Sequence, residues 1–179
     1  FRAGQPDPAT PTGRCIIVVT PDAERTMNTY LGVSSLLSVA DIDEATVADG
    51  AVLYMEGYLF DRDDAKAAFR HAAQVSHAHG RKVSLTLSDS FCVDRHRDDF
   101  LALVRDEVDI LFGNEHELVA LYQVETLDEA IVEVQRHCQL AVVTVGAAGC
   151  LVVTPDGVMR EPAQPCLLYT SDAADEEDS

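Results

Sequence analysis

VDILFGNEHELVALY, residues 108–122, passes from a strand to a helix with almost no loop between them. Val108 to Phe112 is a short apolar run of strand type, and Glu115 to Tyr122 reads as a helix. Asn114 and Glu117 stand at the junction as a favoured N-cap and a favoured N3 residue. A strand that feeds a helix directly is half of a βαβ unit, so the flanking sequence should alternate in the same way.

It does in both directions. Upstream lie the strand Lys82 to Leu87 and a helix around Phe100, Leu101 and Val104. Before them come the apolar run Ala51 to Leu59 and a helix that Asp61 is placed to cap. That helix carries Ala65, Phe69, Ala72 and Val75 at spacings of three and four, and Gly80 closes it. Downstream, the capping box Thr126-Leu-Asp-Glu129 opens a helix with Leu127, Ile131, Val134 and Cys138 on one face, and the strand Leu140 to Val145 follows. Cys150 to Thr154 and Val158 to Arg160 flank Pro155-Asp-Gly157 as a hairpin. Near the start, Arg14 to Thr20 and Arg25 to Leu31 form a second hairpin across Pro21 and Asp22. Strands that are apolar almost throughout imply a parallel sheet covered on both faces. The expected fold class is therefore α/β, a three-layer αβα sandwich with a mainly parallel sheet.

Composition limits what such a fold can hold. The 179 residues are 47% hydrophobic and 25% charged, the balance of a globular domain. A formal net charge of -18, with only 13 scattered Lys and Arg, disfavours nucleic acid and anionic membrane as partners, because both need clustered cations. Cys15, Cys92, Cys138, Cys150 and Cys166 are odd in number and lack a C-x-x-C pair, which points to free thiols in a reducing compartment. No run approaches the roughly 20 apolar residues of a membrane helix and no signal peptide is visible, so the expected location is cytoplasmic.

In parallel α/β sheets ligands sit beyond the carboxyl ends of the strands. Three post-strand segments stand there. Asn114-x-x-Glu117 is either simply a well-capped helix start or an amide and carboxylate that hold hydrated Mg²⁺ beside nucleotide phosphates. Thr144-Val-Gly146-Ala-Ala-Gly149 is either a glycine-rich turn or a place where backbone N–H groups and the Thr144 hydroxyl approach a phosphate or adenine. It is not a Walker loop, and it does not open a helix as a dinucleotide fingerprint does. In Ser88-Asp-Ser-Phe-Cys-Val-Asp94, Asp89 or Asp94 is placed to cap the next helix. His71, His77 and His79 read as solvated histidines. Cys92 with His96 has the spacing of a nucleophile pair but no orienting third group.

Taken in order, RTMNTYLG (Arg25 to Gly32), YMEGYLFD (Tyr54 to Asp61), LTLSDSFCVDRHR (Leu85 to Arg97), DILFGNEHEL (Asp109 to Leu118) and TVGAAG (Thr144 to Gly149) resemble the middle of a PfkB/ribokinase-family kinase, adenosine-kinase-like, over about residues 10 to 162. The resemblance implies transfer of the γ-phosphoryl group of ATP to a hydroxymethyl group of a sugar or nucleoside. It implies ATP contacts at Asn114, Thr144, Gly146 and Gly149, Mg²⁺ at Glu117, and a part of a β lid at about residues 14–32 before an αβα core at 51–162. It assigns no contact to Asn28.

The family's N-terminal glycine pair is not found, and neither is its G-A-G-D segment, which supplies the anion hole and the proton-accepting Asp. Asp172-Ala-Ala-Asp175 echoes that segment without its glycines, so no catalytic residue is assigned. The expectation is an internal fragment, residues 1–162 a partial kinase domain and 163–179 a non-native or disordered tail, inactive and of marginal stability on its own. The parent would be an enzyme and a possible homodimer. The rival reading is a non-catalytic nucleotide- or sugar-binding module of the same fold.

Overall fold

A computed structural model of the chain describes residues 9–21 and 25–164. Asp22, Cys166 and the 172–175 segment lie outside them. Strands β1 (Thr12–Val19) and β2 (Arg25–Gly32) pair antiparallel as a separate two-stranded ribbon. Two 3₁₀ turns and the short helix α1 (Glu44–Asp49) lead to β3 (Val52–Glu56). There follow α2 (Asp63–Ala78), β4 (Lys82–Thr86), α3 (Ser90–Arg95), α4 (Arg97–Asp106), β5 (Ile110–Asn114), α5 (Glu115–Tyr122), α6 (Leu127–His137), β6 (Leu140–Thr144), β7 (Cys150–Thr154) and β8 (Gly157–Glu161).

The α/β class and the mainly parallel sheet are as read from the sequence. Strands β3 to β8 make one six-stranded sheet in sequential order, parallel from β3 to β6 and antiparallel from β6 to β8. Met55, Leu85, Leu111, Ala141 and Val153 are register partners across five strands, and none is more than 4% exposed. They share one core with Phe69 of α2, Phe100 and Val104 of α4, Leu118 and Leu121 of α5, and Ile131 and Val134 of α6.

Strands added in sequential order through right-handed crossovers bring every helix back to the same face of the sheet. Among the described residues the helical layer therefore covers one face. The opposite face is apolar but partly open: Tyr54 is 59%, Val52 49% and Phe112 37% exposed. The apolar composition from which the sequence reading took an αβα sandwich is what this face displays.

Asp61 does not cap α2. A 3₁₀ turn, Gly57–Leu59, follows β3, the N-cap position falls on Arg62, and no side chain caps there. Asp61 instead receives Arg95 Nη2 at 3.0 Å and contacts His96 Nε2 at 2.9 Å, which ties the end of this turn to α3. Phe60 between them is fully buried against the rings of Phe69 and Phe100, at centroid distances of 5.5 and 4.4 Å. Gly57 is required because a Cβ there would lie 2.5 Å from the Leu87 carbonyl oxygen. The ends of β3 and β4 are pressed together at that point.

Candidate nucleotide and acceptor site

The carboxyl ends of four adjacent parallel strands place Glu56, Thr86, Asn114 and Thr144 along one edge of the sheet. Glu56 pairs with Thr86, and Asn114 pairs with Thr144. The two motifs that are 30 positions apart in the sequence are thus direct neighbours. Paired residues of parallel strands project to the same side, so the Asn114 amide and the Thr144 hydroxyl share a face.

Asn114 and Glu117 close a reciprocal cap. Asn114 Oδ1 accepts the Glu117 N–H at 2.9 Å, while the Glu117 carboxylate accepts the Asn114 backbone N–H and side-chain Nδ2, each at 2.9 Å. Glu117 is only 6% exposed. Burial raises its pKa, the Asn114 N–H opposes this, and repulsion from Asp89 and Glu56 adds to it. The capping reading of N-x-x-E is therefore realised in full, and it presents an oxygen and amide donor set at the ligand edge.

Oxygen ligands suit a hard cation such as Mg²⁺, but both Glu117 oxygens already accept hydrogen bonds, which fits a metal held through its own waters and a ligand's phosphates. Among the described residues no group of three or more His, Cys, Asp and Glu is arranged to hold a metal by itself.

After Thr144 the chain turns through a 3₁₀ segment, Gly146–Ala148, and enters β7. The Val145 N–H donates to the Gly149 carbonyl at 2.9 Å. Gly146 and Gly149 have φ of 57° and 98°. A Cβ on Gly146 would meet nothing within 4 Å, whereas one on Gly149 would lie 2.0 Å from the Glu161 carbonyl oxygen. The two glycines serve different ends. Gly149 lets the turn pack on the end of β8, and Gly146 leaves backbone open at the edge.

The third segment behaves as a cap. Asp89 accepts from Phe91 N at 3.3 Å and Cys92 N at 3.2 Å, so Asp89 and not Asp94 opens α3. Cys92 and His96 do not form a pair. The thiol is buried near the Gly57 carbonyl and burial pushes it up to about 11, while His96 bridges Asp61 and Lys66. His71, His77 and His79 are surface residues engaged by Glu44, by Glu107 and Asp109, and by the Val75 carbonyl. Asn28 is exposed on β2, opposite Ile16.

Sequence reasoning quoted the segments that hold Glu56, Tyr58, Ser88 and Phe91 but gave these residues no role; they lie at or after the ends of β3 and β4, the sheet edge that also carries Asn114 and Thr144. Tyr58 is 53% and Phe91 72% exposed. Desolvation and the carboxylates of Asp89, Glu117 and Glu56 raise the Tyr58 pKa, so these groups share one electrostatic neighbourhood. Their signal was positional: each lies within a few residues of the carboxyl end of β3 or β4, where ligands bind.

Comparison with known proteins gives the family. The family model described as pfkB family carbohydrate kinase matches residues 4–168. No curated protein sequence matches. Among solved structures, adenosine kinase from Sinorhizobium meliloti is 47% identical with a TM-score of 0.84, over 90% of this chain and 50% of that one. A probable sugar kinase protein from Rhizobium etli CFN 42 is 43% identical with a TM-score of 0.85, over 90% of this chain and 49% of that one. A putative ribokinase II from E. coli in complex with ATP and Mg²⁺ shares the fold at 18% identity, with a TM-score of 0.75 over 86% of this chain and 51% of that one. The chain spans about half the length of these structures. With a family model that covers most of its residues and two solved relatives above 40% identity, the chain belongs to the pfkB family of carbohydrate kinases.

Proposed function

We propose that this chain carries the nucleotide side and part of the acceptor side of an ATP-dependent kinase that phosphorylates a hydroxymethyl group of a nucleoside or sugar, most closely an adenosine kinase. The observation that carries the reading is the β5–β6 register, which sets Asn114 beside Thr144. It is supported by the identity to an adenosine kinase and by the more distant ribokinase II structure, a complex with ATP and Mg²⁺.

When bound, Mg·ATP would supply the γ-phosphoryl group and a metal that neutralises phosphate charge. The residues here bind and orient. The Thr144 hydroxyl and the open backbone at Gly146 face the phosphates or base, with Gly149 fixing the turn that presents them. The Asn114–Glu117 pair would hold the hydrated metal at the helix start, where the N-terminal dipole of α5 also favours phosphate. On the acceptor side, Glu56 accepts hydroxyls of the sugar ring, and the exposed rings of Tyr58 and Phe91 offer stacking surfaces to a base. The ribbon β1–β2 would form part of a lid. The proton-accepting base is not among the assigned residues, so positioning rather than proton transfer is this segment's share.

The test is calorimetric titration of the 179-residue chain with a non-hydrolysable ATP analogue, with and without Mg²⁺, and then with adenosine. Mg²⁺-dependent binding of the analogue that Asn114→Ala weakens about tenfold would support the reading. NAD binding with no response to Mg²⁺ or to Asn114→Ala would sink it.

A further inference from the structure

The Glu56 carboxylate is held by two hydroxyls that arrive from different strands. Tyr54 Oη, two residues earlier on β3, donates to Oε2 at 3.2 Å. Ser88 Oγ, beyond the end of β4, donates to Oε1. Each carboxylate oxygen thus receives one fixed donor, which sets the plane of the group and leaves further acceptor capacity on both oxygens.

Ser88 reaches this position at a conformational cost. Its φ is 69°, and among the described residues only Gln123 is another non-glycine with a positive φ. A serine stays in the left-handed region only where its surroundings over-determine it. Here Leu87 N–H donates to the Phe112 carbonyl at 3.0 Å on one side, Asp89 caps α3 on the other, and Gly57 presses against the Thr86 and Leu87 carbonyls from β3. The hydroxyl also lies 3.3 Å from the Thr86 carbonyl. Tyr54 is equally hard to explain by packing, since it is 59% exposed on the open face of the sheet. Both residues make sense through what they do to Glu56.

We infer that Tyr54 and Ser88 are positioning residues that fix the plane in which Glu56 meets the acceptor's hydroxyl groups, and that they act through Glu56 and not on the acceptor. The inference deepens the acceptor side proposed above and rests on it. It gives a role to two residues that the sequence segments contain but leave unassigned, and a reason for the strained turn after β4.

Two measurements on the 179-residue chain decide it: calorimetric titration with adenosine and with ribose, and urea unfolding, each on Tyr54→Phe, Ser88→Ala, Glu56→Gln and the corresponding double variants. Tyr54→Phe and Ser88→Ala should each weaken whichever acceptor the wild type binds by about tenfold and leave nucleotide-analogue affinity unchanged. In a Glu56→Gln background, where only one side-chain oxygen is left to accept, both effects should shrink. Ser88→Gly, which tolerates the left-handed backbone, carries the same test if Ser88→Ala folds poorly. Unchanged acceptor affinity in the single variants, or undiminished losses in the Glu56→Gln background, would overturn the inference. If the wild type binds neither adenosine nor ribose, the acceptor-side reading fails separately. Unfolding then decides the positioning: coupling between Ser88 and Glu56 of about fivefold or more in the unfolding constant supports it, and simple additivity overturns it.

Discussion

Glu117 carries opposing demands on one carboxyl group. Its pKa is raised above the ordinary 4.5, burial being the main cause. A folded-state value above the unfolded one means that the native chain keeps a proton the unfolded chain has lost. The stability contribution is then full below the unfolded value and is lost as pH rises through the folded one. Holding Mg²⁺ through water asks for the ionised form, so the metal-dependent part of nucleotide binding should strengthen as pH rises through the acid range into neutrality. Titrations at successive pH values on wild type and Glu117→Gln check this. The variant should lose the pH dependence, and a wild-type profile as flat as the variant's would remove Glu117 from the metal's surroundings. The reciprocal cap was legible in the sequence because Asn114 and Glu117 are three residues apart and their bonding is local. The four acceptor-edge residues were not legible, because Glu, Tyr, Ser and Phe singly form no pattern until two strands bring them together.

Among the elements, the turn between β6 and β7 separates the two uses of glycine. Ala in place of Gly146 must only adopt φ 57° with open space around it, which costs about 1 kcal/mol. Ala in place of Gly149 must also place a methyl group 2.0 Å from the Glu161 backbone, and should cost well over about 2 kcal/mol as β8 is displaced. Urea unfolding of the two variants checks the order, and equal losses would mean that the turn relaxes freely. The junction of β4 and β5 gives an opposite pH sign to that of Glu117. Burial alone would raise the Asp109 pKa, but Lys82 Nζ at 2.8 Å, the Val83 N–H at 2.9 Å and His77 outweigh it and bring it below 3.8. Its stabilising share is present above the unfolded value and lost as pH falls through the folded one. Asp109→Asn should therefore cost about 2 kcal/mol at neutral pH and progressively less as pH falls through the acid range, as unfolding across that range will register. Element types and order were readable from periodicity and capping signals. Asp61 was misread because an acidic residue before a helix satisfies the cap pattern whether or not an intervening 3₁₀ turn shifts the helix start by a residue.

For the molecule as a whole, the apolar strands gave the right class, but composition alone does not state which chain segments cover which face. The open face with Val52, Tyr54 and Phe112 and the ribbon with Ile16, 70% exposed, leave substantial apolar surface in contact with solvent. The folded 179-residue chain should accordingly bind a hydrophobic fluorescent dye at neutral pH while its unfolding transition remains cooperative. Dye fluorescence no higher than that of a compact control protein would mean that this surface is occluded in solution. The sequential order of β3 to β8 has a consequence for how the fold is reached. Each new strand docks beside the one synthesised just before it, so no strand waits for a distant partner and the search is short for a parallel sheet. Over β3 to β8 a ribosome-bound chain can therefore extend the sheet strand by strand as it emerges, each crossover helix closing over the layer it has just completed.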